Sequence, residues 1–126
     1  MPDADTVRRL ALALPEAVET SERGQLAFAV ADRGFAWSFM ERMAPKKPRV
    51  PRPDILAVRC ELARKDLLIE ANSDAFFDDD HYRGFPAVLV RLARVEEAEL
   101  ASLLESAWRL QAPKRLGGLA PPRRKR

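Results

Sequence analysis

The chain of 126 residues has one cysteine, one histidine and one tyrosine, and each scarcity removes a class of function. Cys60 alone cannot close an internal disulfide, so the fold must rest on its core and suits a reducing compartment. Asp78, Asp79 and Asp80 stand beside His81, the lone histidine, but three consecutive acids cannot all converge on one ion without a tight turn. Cys60, His81 and an acid make the one conceivable thiol triad. Cys60 shares a strand face with Leu56 and Val58, however, which reads as a buried, inert thiol. Neither a glycine-rich phosphate loop nor a nucleophile elbow occurs. No catalytic constellation emerges, no metal or other cofactor is called for, and a binding protein is expected rather than an enzyme. No stretch approaches the ~20 apolar residues of a membrane span. The opening carries Asp3, Asp5, Arg8 and Arg9 where a secretory signal has a basic start and an apolar run, so a soluble, cytoplasmic protein is expected.

What is present is enough for one core. Hydrophobic residues make up 47%, with two Trp and six Phe as large fillers, and the length fits one domain. Charge is unevenly spread. Residues 113–126 hold six cations (Lys114, Arg115, Arg123, Arg124, Lys125, Arg126) and no acid, leaving 16 cations against 19 acids in residues 1–112. Setting aside Lys46, Lys47, Arg49 and Arg52 leaves 12 against 19, an acidic body with its positive charge in one loop and one tail.

Asp3 caps a first helix whose Val7, Leu10, Ala11 and Leu14 form one apolar face, and Pro15 stops it. Leu26, Phe28 and Val30, then Phe35, Trp37 and Phe39, alternate as two strands of a hairpin around Asp32-Arg33-Gly34, with Gly34 free to take positive φ. Residues 41–54 interleave Pro45, Pro48, Pro51 and Pro53 with the four cations. So many prolines predict an extended, polyproline-like wing outside the sheet. Residues 55–60 return to strand alternation. Residues 62–71 form a second helix, apolar at Leu67, Leu68 and Ala71, and Ser73 caps a short turn bearing Phe76 and Phe77. A loop over 78–86 leads into an apolar strand over 87–95. The last helix has Glu96, Glu97 and Glu99 in its first turn and Leu100, Leu103, Leu104, Ala107, Trp108 and Gln111 on its inner face. Helix, three strands, helix, strand, helix implies an α+β fold, one antiparallel sheet with flanking helices. The domain is expected to span residues 1–116, with 117–126 a disordered basic tail.

Several runs resemble the MmcQ/YjbR family: Phe76-Phe77, His81-Tyr82-Arg83-Gly84-Phe85-Pro86, Val88-Leu89-Val90-Arg91-Leu92, and Trp108-Arg109 followed by Ala112-Pro113-Lys114-Arg115-Leu116. Val7-Arg8-Arg9-Leu10 with Leu14-Pro15-Glu16 is similar to that family's opening, so the likeness runs, with gaps, from about Asp3 to Leu116. The resemblance implies a CyaY-like, double-wing fold and the family's DNA-binding label. It offers no catalytic residues to carry over. The proline-rich basic wing departs from the shorter, more acidic turn of many relatives. The acidic iron-binding ridge of the frataxin side of this fold has no counterpart in the first helix here.

Two functional readings stand side by side. In the first, nucleic-acid phosphates are held by Lys46, Lys47, Arg49 and Arg52 on the wing and by Lys114, Arg115, Arg123, Arg124, Lys125 and Arg126 at the C-terminal end. No recognition helix with groove-spaced Arg, Asn or Gln stands out, so base-specific readout is not expected. A plain alternative for the same charges is codon bias, since Arg outnumbers Lys 17 to 5, together with an ordinary solvated terminus. The second reading is a small-ligand pocket, or an enzyme acting through it, between the sheet and the last helix near His81, Tyr82, Arg91 and Trp108. The aromatics equally serve as core packing.

Overall fold

A computed structural model describes residues 2–22, 24–42 and 44–119. Its elements run α1 (Ala4–Leu12), β1 (Val18–Glu19), β2 (Ala27–Val30), β3 (Arg33–Arg42), β4 (Arg49–Arg59), α2 (Leu62–Ala71), β5 (Phe76–Phe77), β6 (Ala87–Arg91) and α3 (Glu97–Gln111), closing with a 3-10 turn at Lys114–Leu116. The strands form one antiparallel sheet in the order β1-β2-β3-β4-β6-β5. This is the expected α+β architecture, with two short edge strands added. The turn bearing Phe76 and Phe77 is one of them, because both residues pair with β6. Strand β6 ends at Arg91, and Leu92–Val95, expected to continue it, turn toward α3 instead.

The period-2 alternation of the central strands sorts their side chains into two cores. Leu56, Val58, Val88 and Val90 face α1 and α3, packing with Val7, Ala11, Leu100, Leu103, Leu104, Ala107 and Trp108. Ile55, Ala57, Ala87 and Leu89 face the other way, where they meet Phe39, Tyr82, Trp37 and Phe77. This second cluster is built from strands and loop 78–86 alone, so no helix among the described residues covers that face.

Helix α1 starts as its cap chemistry requires, with Asp3 Oδ1 accepting from the Thr6 N–H at 2.9 Å. Helix α2 keeps its expected limits but turns a different face inward. Leu67 is 65% exposed and Ala71 is exposed, whereas Lys65 is 1% exposed and Leu68 and Ile69 pack on the core. The β2–β3 turn also differs from expectation. Val30 pairs with Arg33, which leaves a two-residue loop of Ala31 (φ 50°) and Asp32 (φ 65°). Two successive positive φ values give the primed turn whose twist matches the flanking strands. Gly34 lies within β3 and has no positive φ.

The proline-rich wing is a paired ribbon rather than a free polyproline excursion. Phe39, Met40, Glu41 and Arg42 pair with Arg52, Pro51, Val50 and Arg49. The register slips between Ser38 and Phe39, leaving residues 53–55 without partners in β3. Strand β6 meets β4 only from Ile55 to Arg59, so the outer half of β4 has a neighbour on one side alone. Half of its N–H groups then have no ladder role, and Pro51 and Pro53 are tolerated there. At the other end of the chain, the hydrogen-bonded body reaches past residue 116. Gly118 N–H donates to the Pro113 carbonyl at 3.1 Å and Leu119 N–H to that of Arg109 at 2.7 Å.

Candidate functional site: an aromatic cleft on the helix-free face

Loop 78–86 is folded over the helix-free face by a buried lysine. Lys65 Nζ donates to the carbonyls of Tyr82 (2.8 Å) and Phe85 (3.1 Å) and pairs with Asp78 Oδ1 at 3.0 Å. Two carbonyls and a carboxylate thus surround the ammonium, as a buried cation requires. Asp79 Oδ1 accepts from the Tyr82 N–H at 2.8 Å, and Asp80 pairs with Arg83 at 2.7 Å. The three consecutive acids therefore point to three different partners and do not converge.

The loop presents His81, Tyr82 and Phe85 to the sheet. Trp37 Nε1 donates to the Tyr82 hydroxyl at 2.9 Å. The Tyr82 ring centroid lies 6.0 Å from that of Phe39, 5.8 Å from Phe85 in an edge contact, and 5.2 Å from His81. Trp37 and Phe85 also meet edge-on at 6.3 Å. Between Trp37, His81, Tyr82 and Phe85 lies a cleft of about 360 Å³. His81 and Phe85 are exposed on its rim, Phe85 at 39%. Burial raises the Tyr82 phenol pKa, outweighing the indole's hydrogen bond, so at neutral pH the hydroxyl keeps its proton. Among the described residues nothing accepts that proton.

Arginines border the rings. Arg59 sits over Phe85 at 5.2 Å and Arg91 over Phe77 at 4.0 Å, both within cation–π range. Arg91 Nη1 also donates to the carbonyls of Ser73 and Asp74. Arg49 donates to the Met40 carbonyl at 3.0 Å and lies near enough to Tyr82 to act on its titration. None of these three guanidiniums is paired with a carboxylate among the described residues. Arg8, Arg9, Arg52, Arg83, Arg109 and Arg115 sit in ion pairs, whereas Arg64 and Arg94, like these three, have none among the described residues.

The residues expected to form a pocket are thus only partly brought together. His81 and Tyr82 share the cleft, and Arg91 stands one ring away on Phe77. Trp108 belongs to the opposite face, where its Nε1 donates to the Pro15 carbonyl at 2.9 Å. The period of α3 turns Trp108 toward the first core, and the sheet separates it from Tyr82.

The cations expected to meet phosphate also divide. Lys46 and Lys47 are exposed at the tip of the β3–β4 hairpin, and Lys114 is exposed in the 3-10 turn. Arg52 is gripped by both Glu41 oxygens at 2.9 Å and by Asp54, which raises its pKa further and spends its charge. Arg115 is held by Glu16 at 2.9 Å. Arg123, Arg124, Lys125 and Arg126 lie outside the described residues. Cys60 is buried, and desolvation pushes its thiol up to about 11, far from His81 chemistry at neutral pH.

Sequence reasoning missed Lys65, Arg59 and Trp37 as parts of one site. For Lys65 a signal existed. It shares a helical stripe with Leu68 and Ile69, and a lysine inside an apolar stripe needs a partner. Nothing local marks Arg59, because its ring partner comes from a loop 26 positions later.

Comparison with known proteins agrees with this architecture. The chain is similar, at 34% identity over 119 residues, to uncharacterized protein Mb2600 of Mycobacterium bovis and uncharacterized protein Rv2570 of Mycobacterium tuberculosis, covering 89% of this chain and 90% of each relative. Its fold is similar to the crystal structure of Deinococcus radiodurans protein DR2400, which carries the domain DUF419. That match has a TM-score of 0.69 at 21% identity, over 94% of this chain and 91% of the other. The YjbR family model matches residues 12–110, and the chain belongs to the YjbR family.

Proposed function

We propose that this protein binds nucleic acid through the phosphate backbone, using cations at and beside the helix-free face of its sheet. The observation that carries this reading is the grouping of three carboxylate-free arginines around one aromatic surface. Arg59 lies over Phe85 of the cleft, Arg91 over neighbouring Phe77, and Arg49 near Tyr82, none of them paired with a carboxylate among the described residues. An unpaired guanidinium costs little in water and gains most when a phosphate replaces released counterions. Exposed Lys46 and Lys47 add positive charge at the tip of the ribbon, and Lys114 with Arg123, Arg124, Lys125 and Arg126 adds charge at the C-terminal end. Arg52 and Arg115 contribute little, because carboxylates already hold them. Such contacts hold phosphate whatever the base sequence.

Salt-titrated binding to a labelled oligonucleotide tests the proposal. With five or six cations engaged, log K should fall with log salt at a slope of roughly −4.5 to −5.5 on duplex and somewhat less steeply on a single strand. Replacing Lys46 and Lys47 by alanine should flatten the duplex slope by about 1.8 and weaken all sequences alike. Absence of binding in dilute buffer overturns the reading.

A further inference from the structure

We infer that the cleft between Trp37, His81, Tyr82 and Phe85 receives an unpaired nucleobase, so that the protein selects single strands over duplex. This inference rests on the nucleic-acid reading above and adds the form of nucleic acid to it.

Three observations converge on a base. The cleft is walled by four rings, and its volume of about 360 Å³ lies at the small end of the range for ligand sites. Its occupant is therefore small and benefits from π contact. The Tyr82 hydroxyl already accepts from Trp37, so its remaining donor is available to an acceptor on the edge of a planar ring. The flanking charges are cationic and lie on the rings themselves: Arg59 over Phe85, and Arg91 over neighbouring Phe77. Asp78 is held by Lys65 and Asp80 by Arg83, so among the described residues Asp79, which accepts from the Tyr82 N–H, is the one loop acid that faces these cations without an ion pair of its own. A flat ring flanked by anionic groups is the chemical description of a nucleotide.

The geometry then separates single strand from duplex. In a duplex the base faces are stacked and unavailable, whereas a single strand can place one base in the cleft while its phosphates meet Arg59 and Arg49. A wholly electrostatic binder behaves oppositely. It favours duplex, whose linear charge density is higher.

Binding of the full chain to a labelled 12-nucleotide strand, the matching duplex and adenosine monophosphate decides the matter, with wild type, Phe85→Ala and His81→Ala compared. Both substitutions are at exposed positions, and circular dichroism verifies the fold. The inference predicts tighter binding of the single strand and a loss of about tenfold in Phe85→Ala, with a smaller loss in His81→Ala. Duplex binding should change little. Equal affinity for strand and duplex, or single-strand affinity indifferent to Phe85→Ala, overturns the base cleft and leaves phosphate binding standing. If neither polymer binds, both readings fall. Micromolar binding of the mononucleotide without binding of the strand also overturns the inference, by making a free nucleotide the occupant.

Discussion

Lys65 is the residue on which the cleft depends, although it touches no face of it. Its ammonium holds two loop carbonyls and the Asp78 carboxylate from a position almost wholly removed from water. Removing it would strand a partly buried carboxylate and two acceptors at once. Lys65→Met should cost about 2–4 kcal/mol in a urea unfolding series. The released loop should also become cleavable by trypsin after Arg83, a side chain already exposed but on a backbone held in place. A variant as stable and protease-resistant as wild type would show that the loop holds itself. The same residue scale separates Arg59 from Arg52. Both are arginines of β4, but one lies over a ring and the other is clamped by two carboxylates. Identity alone does not tell which of them has charge to offer.

At the scale of elements, the β2–β3 connection shows a local conflict. A primed turn best suits the twist of the two strands, yet its first position is Ala31, whose Cβ crowds the backbone at a φ of 50°. Replacing the pair with Ala31→Asn and Asp32→Gly supplies residues that adopt this conformation readily. The double variant should gain about 1 kcal/mol of stability, read as an upward shift in the thermal midpoint. Loss of stability would mean that Asp32 is engaged more strongly than the turn is strained. The β3–β4 ribbon makes the complementary point. Four prolines argue against a sheet centre, and correctly so, but they do not argue against a strand with one open side.

Across the whole molecule, exposed ion pairs act at every sequence separation: Arg52 to Asp54 within β4, Arg8 to Glu19 between neighbouring elements, and Arg115 to Glu16 between the two ends of the chain. In each case the arginine's hydrogen bond holds the carboxylate below its ordinary value, 4.5 for Glu16 and Glu19 and 3.8 for Asp54. A folded pKa below the unfolded one means that the unfolded chain takes up protons first as pH falls. The stabilisation is therefore complete above about pH 5 and is lost as pH drops through the lowered values. Thermal midpoints should be level from neutrality to that point, fall below it, and fall less steeply in high salt, because solvent and ions screen exposed pairs. A midpoint that rises on acidification would contradict this assignment.

The sequence by itself determined the α+β class, the limits of α2, the cap of α1 and the inner faces of α1 and α3. Each of these follows from periodicity, capping or breaker residues within a few positions of one another. It also singled out His81 and Tyr82, through the run that carries the family likeness. Only the tertiary structure decided that Trp108 and Tyr82 lie on opposite sides of the sheet, that Lys65 rather than Leu67 turns inward, and that Arg52 is spent while Arg59 is not. The reason is physical. Propensity and hydrophobic period act along the chain, whereas desolvation and ion pairing depend on which distant groups the sheet brings within a few ångströms. The cleft joins β3 to a loop far along the chain, and only folding makes them neighbours.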